Sequence, residues 1–248
     1  MRKLRKFGSA LGFFIGIAML VGAPPAVAAR DFEGMLEASD KVEVASQVPG
    51  VIDEILVERG DLIKAGDTIA RLKSSVEGAA VALAEARVEF GRRKSLRNEE
   101  LFRKKLISIH EKDEMETELR LAQLELQETQ ERFKLRTIHS PIDGIVVARA
   151  KSAGEYVGED PILTLARIDP LYVEVILPLE YFGRIKKGVR AEVLPEAPVG
   201  GKFQAEVIIV DPVVDAASGT FGVRLQLPNA ALRVPPGIKC RVRFPGIS

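Results

Sequence analysis

Val48-Pro49-Gly50-Val51-Ile52, running on through Gly60-Asp61-Leu62-Ile63 to Gly66-Asp67-Thr68-Ile69-Ala70-Arg71-Leu72, is a stretch that this chain contains twice. The second copy begins 94 residues later: Gly50 matches Gly144, Val51 matches Ile145, Ile52 matches Val146, and Gly60-Asp61 matches Gly154-Glu155. After a one-residue gap, Asp67 to Leu72 matches Asp160 to Leu165. Short β-branched runs broken by glycine predict small strands crossing a tight sandwich. Gly50, Gly60, Gly144 and Gly154 are read as turn positions of that repeat, where a side chain would be poorly tolerated. Neither half has enough apolar surface to bury alone, so the two are expected to close on each other as one module. The 67 residues from Lys73 to His139 then form an insertion that leaves and re-enters that module.

The insertion changes period. Ser74 with Glu77, and Ser108 with Glu111, fit the S-x-x-E capping box and mark two helix starts with a turn near Leu106 to Ser108. In the second helix Met115, Leu119, Ala122, Leu126, Thr129 and Phe133 recur at steps of four and three, the pattern of a coiled-coil seam. Ala79, Leu83, Ala86 and Phe90 are expected to face them from the first helix. Beyond Gly91 the apolar residues thin out, which makes the distal half the weaker end. At about 1.5 Å per residue, some 30 residues project on the order of 45 Å.

From Asp169 onward five runs alternate apolar with polar residues between Pro/Gly turns: Leu171 to Leu177, Val189 to Leu194, Phe203 to Val210, Thr220 to Leu227 and Ile238 to Phe244. Five or six short antiparallel strands predict a small β-barrel. Leu179 to Ile185 is read as a short helix, Lys186-Lys187-Gly188 as a solvated turn, and Asp215 to Thr220 as a loop. The fold class is therefore mainly β, a lipoyl-like sandwich plus a barrel, elongated and modular, with an inserted helical hairpin. Its expected boundaries are 1–29, 30–73 for the first half with an N-terminal strand, 74–136, 137–168 and 169–248.

Composition narrows the function. At 248 residues, 46% apolar and 29% charged, the chain is neither disordered nor fibrous. With no Trp, 6% aromatics and a net charge of +1 it lacks the basic, stacking surface of a nucleic-acid binder. One cysteine and two histidines exclude an internal disulfide and argue against a zinc site. Arg2, Lys3, Arg5 and Lys6 precede an apolar run from Leu11 to Val21 and the small residues Ala26-Val27-Ala28-Ala29, the pattern of a secretory leader. Cleavage before Arg30 leaves 32 basic and 35 acidic residues. An uncleaved anchor is the alternative, although the run is shorter than the roughly 20 residues that span a bilayer.

The ordered pair of half-motifs around a hairpin, followed by a barrel, resembles the periplasmic adaptor or membrane fusion protein family (HlyD-like). The resemblance covers about residues 40 to 245. It implies a non-enzymatic subunit that bridges an inner-membrane transporter, RND-type or alternatively ABC-type, and a TolC-type outer-membrane channel. It also implies self-association into a ring, six copies by analogy, forming a sealed conduit in the periplasm. In that family the hairpin tip docks on the channel, and efflux adaptors carry Arg, Leu and Ser there at the spacing of Arg97, Leu101 and Ser108. The alternative for Ser108 is a plain helix cap, and for Leu101 a seam position. Charged hairpin flanks such as Arg92, Arg93, Glu99, Glu100, Glu116 and Glu118 are expected to set register with neighbouring hairpins. Relatives with a membrane-proximal domain build it from both chain ends. The short stretches outside Val48 and the last strand lead us to expect that domain to be absent or vestigial, leaving the barrel to grip the transporter.

Two other classes fit the sequence less well. A lipoyl or biotinyl carrier needs a lysine on a tight turn, where this chain has Val76 at the nearest position and Lys73 in a helix entry. An enzyme would need a nucleophile near His110 or His139, and none stands in a recognisable context. Glu155, Glu159 and Asp160 are matched by turn residues Asp61 and Asp67. The Gly50, Gly60, Gly66 pattern fits no phosphate loop. No catalytic residue, cofactor or metal ligand is assigned.

Overall fold

Antiparallel pairing between the two copies of the repeat builds the central body. The computed structural model describes residues 30–246, so the leader expected at 1–29 lies outside the described residues. The strands are β1 (Asp31–Ala45), β2 (Gly50–Ile55), β3 (Leu62–Ile63), β4 (Thr68–Leu72), β5 (Thr137–His139), β6 (Gly144–Arg149), β7 (Tyr156–Val157) and β8 (Pro161–Pro178). They continue as β9 (Arg190–Pro195), β10 (Phe203–Val210), β11 (Thr220–Leu227) and β12 (Lys239–Arg243). Helices α1 (Ser75–Arg103) and α2 (Ile109–Lys134) lie between β4 and β5.

The sandwich has two sheets of the same construction. One runs β5-β4-β2-β7; the other runs from the C-terminal part of β1 through β8 and β6 to β3. Each half lends its two-residue strand to the other half's sheet, β3 to β6 and β7 to β2. The bonds correspond atom for atom. Gly60 N–H donates to Val146 O at 2.9 Å and Val146 N–H to Asp61 O at 3.0 Å; the counterparts are Gly154 N–H to Ile52 O and Ile52 N–H to Glu155 O, both at 2.9 Å. The buried core repeats the match: Ile52 with Val146, Ile63 with Val157, Ile69 with Ile162, and Leu72 with Leu165. The correspondence extends upstream of the sequence match, because the Ser46 hydroxyl donates to Val48 O and the Ser140 hydroxyl to Ile142 O, each at 2.6 Å.

The four repeat glycines do two different jobs. Gly60 (φ 98°) and Gly154 (φ 88°) occupy left-handed turns, as read from the sequence. Gly50 and Gly144 do not, which corrects that reading: they begin β2 and β6, and what they permit is close approach. A Cβ on Gly144 would stand 2.5 Å from the Ala166 carbonyl oxygen of β8. One on Gly50 would meet the flexible end of Arg136 and, at 3.3 Å, the Leu72 side chain.

A second core fills the barrel, where β12, β9, β10, β11 and the C-terminal part of β8 leave an open edge on both sides. The sequence assigned the whole N-terminal strand to the first half-motif, but its beginning closes this barrel. Asp31–Met35 pairs with β12, and Gly34–Ala38 pairs with β8. An unclosed barrel would expose two unpaired strand edges, and the segment next in line to satisfy them is this one. Asp31 clamps the closure through Arg243 at 2.8 Å, a hydrogen bond that holds its carboxyl below the usual range. The segment expected as a helix from Leu179 to Ile185 is a single 3-10 turn, Leu179–Tyr181.

Strands β1 and β8 run through both bodies, with a register break at Ala38/Asp40. Asn229, buried, pins the crossover: its amide donates to Ile168 O and Val234 O, each at 2.9 Å, while its N–H donates to the Asp169 carboxylate at 2.7 Å. The 15 residues of β1 reach about 50 Å at about 3.3 Å per residue. Their far end, Val42 to Ala45, shares a groove with Lys134 and Leu135 at the hairpin root. Hairpin and barrel therefore leave the sandwich at opposite ends.

The two kinds of glycine predict unequal costs. Gly144→Ala forces the β8 backbone to move and is expected to lower stability by about 1–3 kcal/mol. Gly50→Ala displaces a side-chain tip and is expected to cost less. Thermal unfolding of both variants checks the order, and equal small effects would overturn the close-approach reading.

Candidate functional site: the hairpin and its tip

Packing between α1 and α2 determines what the hairpin presents. Of the α2 seam as read, Met115, Leu119, Ala122, Leu126 and Thr129 are half-buried, whereas Phe133 at its end is exposed. The α1 seam differs from the sequence expectation. Val81, Ala84, Val88, Gly91, Ser95 and Asn98 face α2, whereas Ala79, Leu83, Ala86 and Phe90 are exposed. Both stripes keep steps of three and four, so periodicity cannot choose between them; size does. Ala84 and Gly91 let the helices approach closely, and a Cβ on Gly91 would already be 3.3 Å from Leu119 Cδ1. Phe90 and Leu83 are too bulky for that seam. Ion pairs Arg87–Glu125, Lys94–Glu118 at 2.6 Å and Lys112–Glu99 at 3.2 Å bind the helices along their length.

At the root, the helix entry was read as a capping box at Ser74, and this is corrected. The Ser74 side chain makes no cap hydrogen bond. Glu77 instead pairs with Arg136, whose guanidinium also donates to Pro49 O at 2.9 Å. Arg136 thus ties α1 to the first half-motif, and Leu72 N–H donates to Arg136 O at 2.8 Å across the mouth of the hairpin. Sequence reading missed Arg136 because its partners lie 59 and 87 residues away.

At the tip the second capping box forms in full. Glu111 N–H donates to Ser108 Oγ at 3.2 Å, and Ser108 N–H donates to Glu111 Oε2 at 2.7 Å. The Ser108 hydroxyl donates to the same carboxylate at 2.9 Å, so its single donor is committed to the helix start. These bonds, the backbone one first, hold the Glu111 carboxyl below its usual 4.5. A hydrogen bond from Lys112 lowers Glu99 in the same way, and Lys112 is raised by Glu99 in return. Both effects make the tip most ordered between about pH 4.5 and 10.5: the carboxylate contribution is present above 4.5 and lost on acidification, the Lys112 contribution present below 10.5 and lost in strong base. Arg97 and Leu101 lie four residues apart on one face of α1, Arg97 exposed and Leu101 half-buried. Ser108 stands across the turn at the start of α2.

The remaining candidates have structural settings. His139 Nδ1 donates to Gly66 O at 3.0 Å, and His110 lies in the first turn of α2. Cys240 is buried in β12, and burial pushes its thiol up to about 11, so it is not a thiolate at neutral pH. Glu155 accepts from Ser152 N–H at 2.9 Å as Asp61 does from Glu58 N–H at 2.7 Å, the same turn bond in each half. Among the described residues no cluster of three His, Cys, Asp or Glu groups could hold a metal, and no helix is long and apolar enough to cross a membrane.

Comparison with known proteins agrees with this architecture. Residues 40–166 match the family model of the CzcB-like barrel-sandwich hybrid domain, and residues 170–247 match that of the CusB-like β-barrel domain. The nickel-cobalt-cadmium resistance protein NccB of Alcaligenes xylosoxydans xylosoxydans is 28% identical over 92% of this chain and 59% of its own length. The antibiotic efflux pump periplasmic linker protein ArpA of Pseudomonas putida is 23% identical over 86% of this chain and 62% of its own. The chain thus spans less than two-thirds of the curated relatives it matches. In fold it is similar to a MacA–MexA chimera carrying the Pseudomonas aeruginosa MexA α-hairpin, with a TM-score of 0.75 at 18% identity over 87% of this chain and 80% of that one. It is similar also to the membrane fusion protein Spr0693 of Streptococcus pneumoniae R6, with a TM-score of 0.70 at 16% identity over 89% of this chain and 100% of that one.

The cap makes a direct prediction. Ser108→Ala is expected to cost about 1 kcal/mol of helix stability and to let the Glu111 pKa climb towards 4.5. NMR titration of Glu111 in both forms checks this, and an unmoved pKa would mean that the Ser108 hydroxyl adds nothing to what its backbone N–H already does for that carboxylate.

Proposed function

The chain belongs to the periplasmic adaptor, or membrane fusion protein, family of the RND efflux linker type, and on that premise we propose that it links an inner-membrane transporter to an outer-membrane channel without catalysis of its own. The observation that carries this reading is the antiparallel rod of 29- and 26-residue helices leaving one end of the sandwich while a closed barrel occupies the other. A helix of 29 residues extends about 43 Å, reach that serves contact with something distant and no purpose in a cleft enzyme. The barrel faces the transporter; the hairpin tip meets a TolC-type channel in the periplasm. Copies standing side by side, six by family analogy, enclose a conduit through which cargo passes without mixing with the periplasm. The match of residues 170–247 to a β-barrel family model of the RND type supports an RND-type partner.

At the tip, Arg97 and Leu101 present a cation and an apolar knob on one face of α1, a pairing suited to a helical channel wall. Ser108 acts by keeping the start of α2 in shape beside them. Leu101→Asp is expected to abolish efflux and cross-linking to the channel while export and helix content stay as in the parent. Photocrosslinking from position 101 in intact cells reads the contact. Undiminished efflux and channel cross-linking in that variant would remove the tip from the docking site.

A further inference from the structure

Helix α1 stops where the chain has no glycine to stop it, none occurring between Gly91 and Gly144. Lys104 caps the helix, and Lys105, one residue beyond, has φ 58°, in the left-handed region. Two backbone bonds close the turn: Lys105 N–H donates to Phe102 O at 2.8 Å and Leu106 N–H to Leu101 O at 2.9 Å. Glycine, and after it asparagine, takes this position at the lowest cost, because a Cβ crowds the backbone there. Among the described residues ten glycines have positive φ, and of the other residues only Lys105 and Leu232 do. Leu232 places its side chain inside the protein's own contacts, lining a groove with Ile63 and Ile168. Lys105 does not. It is exposed, and the ion pairs at this end of the rod, Arg103–Glu99 at 3.5 Å and Lys112–Glu99 at 3.2 Å, leave it out. Nor does the helix need its charge, since Arg103 already supplies a cation to the last turn.

The surroundings of Lys105 say what such a side chain could meet. From Leu101 to His110 the chain carries Arg103, Lys104, Lys105 and His110 and no acidic residue. The acidic groups that flank this stretch are Glu99, paired with Arg103 and Lys112, then Glu100, and Glu111, held by Ser108. Leu106 and Ile109 stand beside the lysines, 67% and 59% exposed. Arg97 and Leu101 lie further back on α1, Arg97 by about 10 Å. The apex is therefore cationic and apolar together. A surface of that kind complements a partner with acidic groups around an apolar centre.

We propose that Lys105 is a specificity-determining residue of the docking site: the left-handed turn holds its ammonium at the apex, where it pairs end-on with carboxylates on the rim of the outer-membrane channel while Leu106 and Ile109 seat against apolar surface within that rim. The proposal deepens the docking reading above and rests on it. Arg97 and Leu101 meet the channel from the side of the rod, and Lys105 meets it from the end. Strain is kept at this position because a side chain is needed where a glycine would be easier. Lys105 thus lowers the stability of the hairpin end and raises its affinity for the partner.

The test compares Lys105→Gly, Lys105→Asn and Lys105→Arg in the full chain. Hydrogen exchange at the Leu106 amide of the purified protein reads the turn. Cross-linking to the outer-membrane channel from a photoreactive residue at position 109, in intact cells, reads the contact. Lys105→Gly is expected to slow the exchange severalfold while cutting both channel cross-linking and efflux severalfold. Lys105→Asn, whose side chain also suits a left-handed turn, loses cross-linking to the same extent, and Lys105→Arg keeps the parent's level. Faster exchange in Lys105→Gly overturns the proposal, because the lysine would then be serving the turn itself. So does full cross-linking by the Gly variant or by the Asn variant, and so does its loss in the Arg variant. The two readings fail differently. A parent chain that yields no channel cross-link from position 101 or 109 removes the docking reading and this proposal together, whereas a cross-linking parent with all three variants unchanged removes only the role of Lys105.

Discussion

Strand exchange between the two half-motifs is the constraint on which everything else hangs. A two-residue strand such as β3 or β7 has no stability of its own, and its apolar residue, Ile63 or Val157, is buried only because the other half receives it. Each half therefore completes its partner, and the hydrogen bonds at Gly60–Val146 and Gly154–Ile52 are the same joint made twice. Neither half can form without the other. That allows the chain to leave for the hairpin at Leu72 and return at Ile138 without weakening the body, since the pairing across the gap holds the exit and entry together.

The same duplication explains where the outer parts are attached. Leu72 and Leu165 are equivalent, the first followed by the hairpin and the second by the barrel. One module thus carries two extensions from matching positions, and continuous strands or paired side chains carry their orientation. On the barrel side the link is β1 and β8, long enough to belong to both sheets, with Asn229 bonded across the crossover. On the hairpin side it is Arg136, held between Glu77 and Pro49. The proposed linking role calls for such a mount at each end, because a rod hinged at its root could not deliver a tip to a defined place.

Inside the rod, small residues decide. Ala84 and Gly91 let α1 approach Leu119 and its neighbours, and in doing so they rotate Leu83 and Phe90 outward. Exposure of large apolar groups on a solvated helix is unfavourable unless something covers them. Elsewhere Cys240 is buried and the carboxylates at the matching turns bind backbone amides.

Much of this was legible in the sequence. The duplicated half-motif, the capping box at Ser108, the α2 seam and the five alternating strands of the barrel are local patterns, written in residue types a few positions apart, and periodicity reports them directly. The allocation of β1 to two bodies was not, because pairing between Asp31 and Arg243 spans the length of the chain. Nor were the close-approach role of Gly144, set by the Ala166 carbonyl of another strand, and the tie made by Arg136. The α1 seam was the subtlest case: two stripes share one period, and only the distance between packed helices selects the one that small residues can fill. Local spacing determined which elements form; which faces meet was decided by steric fit between segments far apart in sequence, a quantity no single stretch of the chain contains.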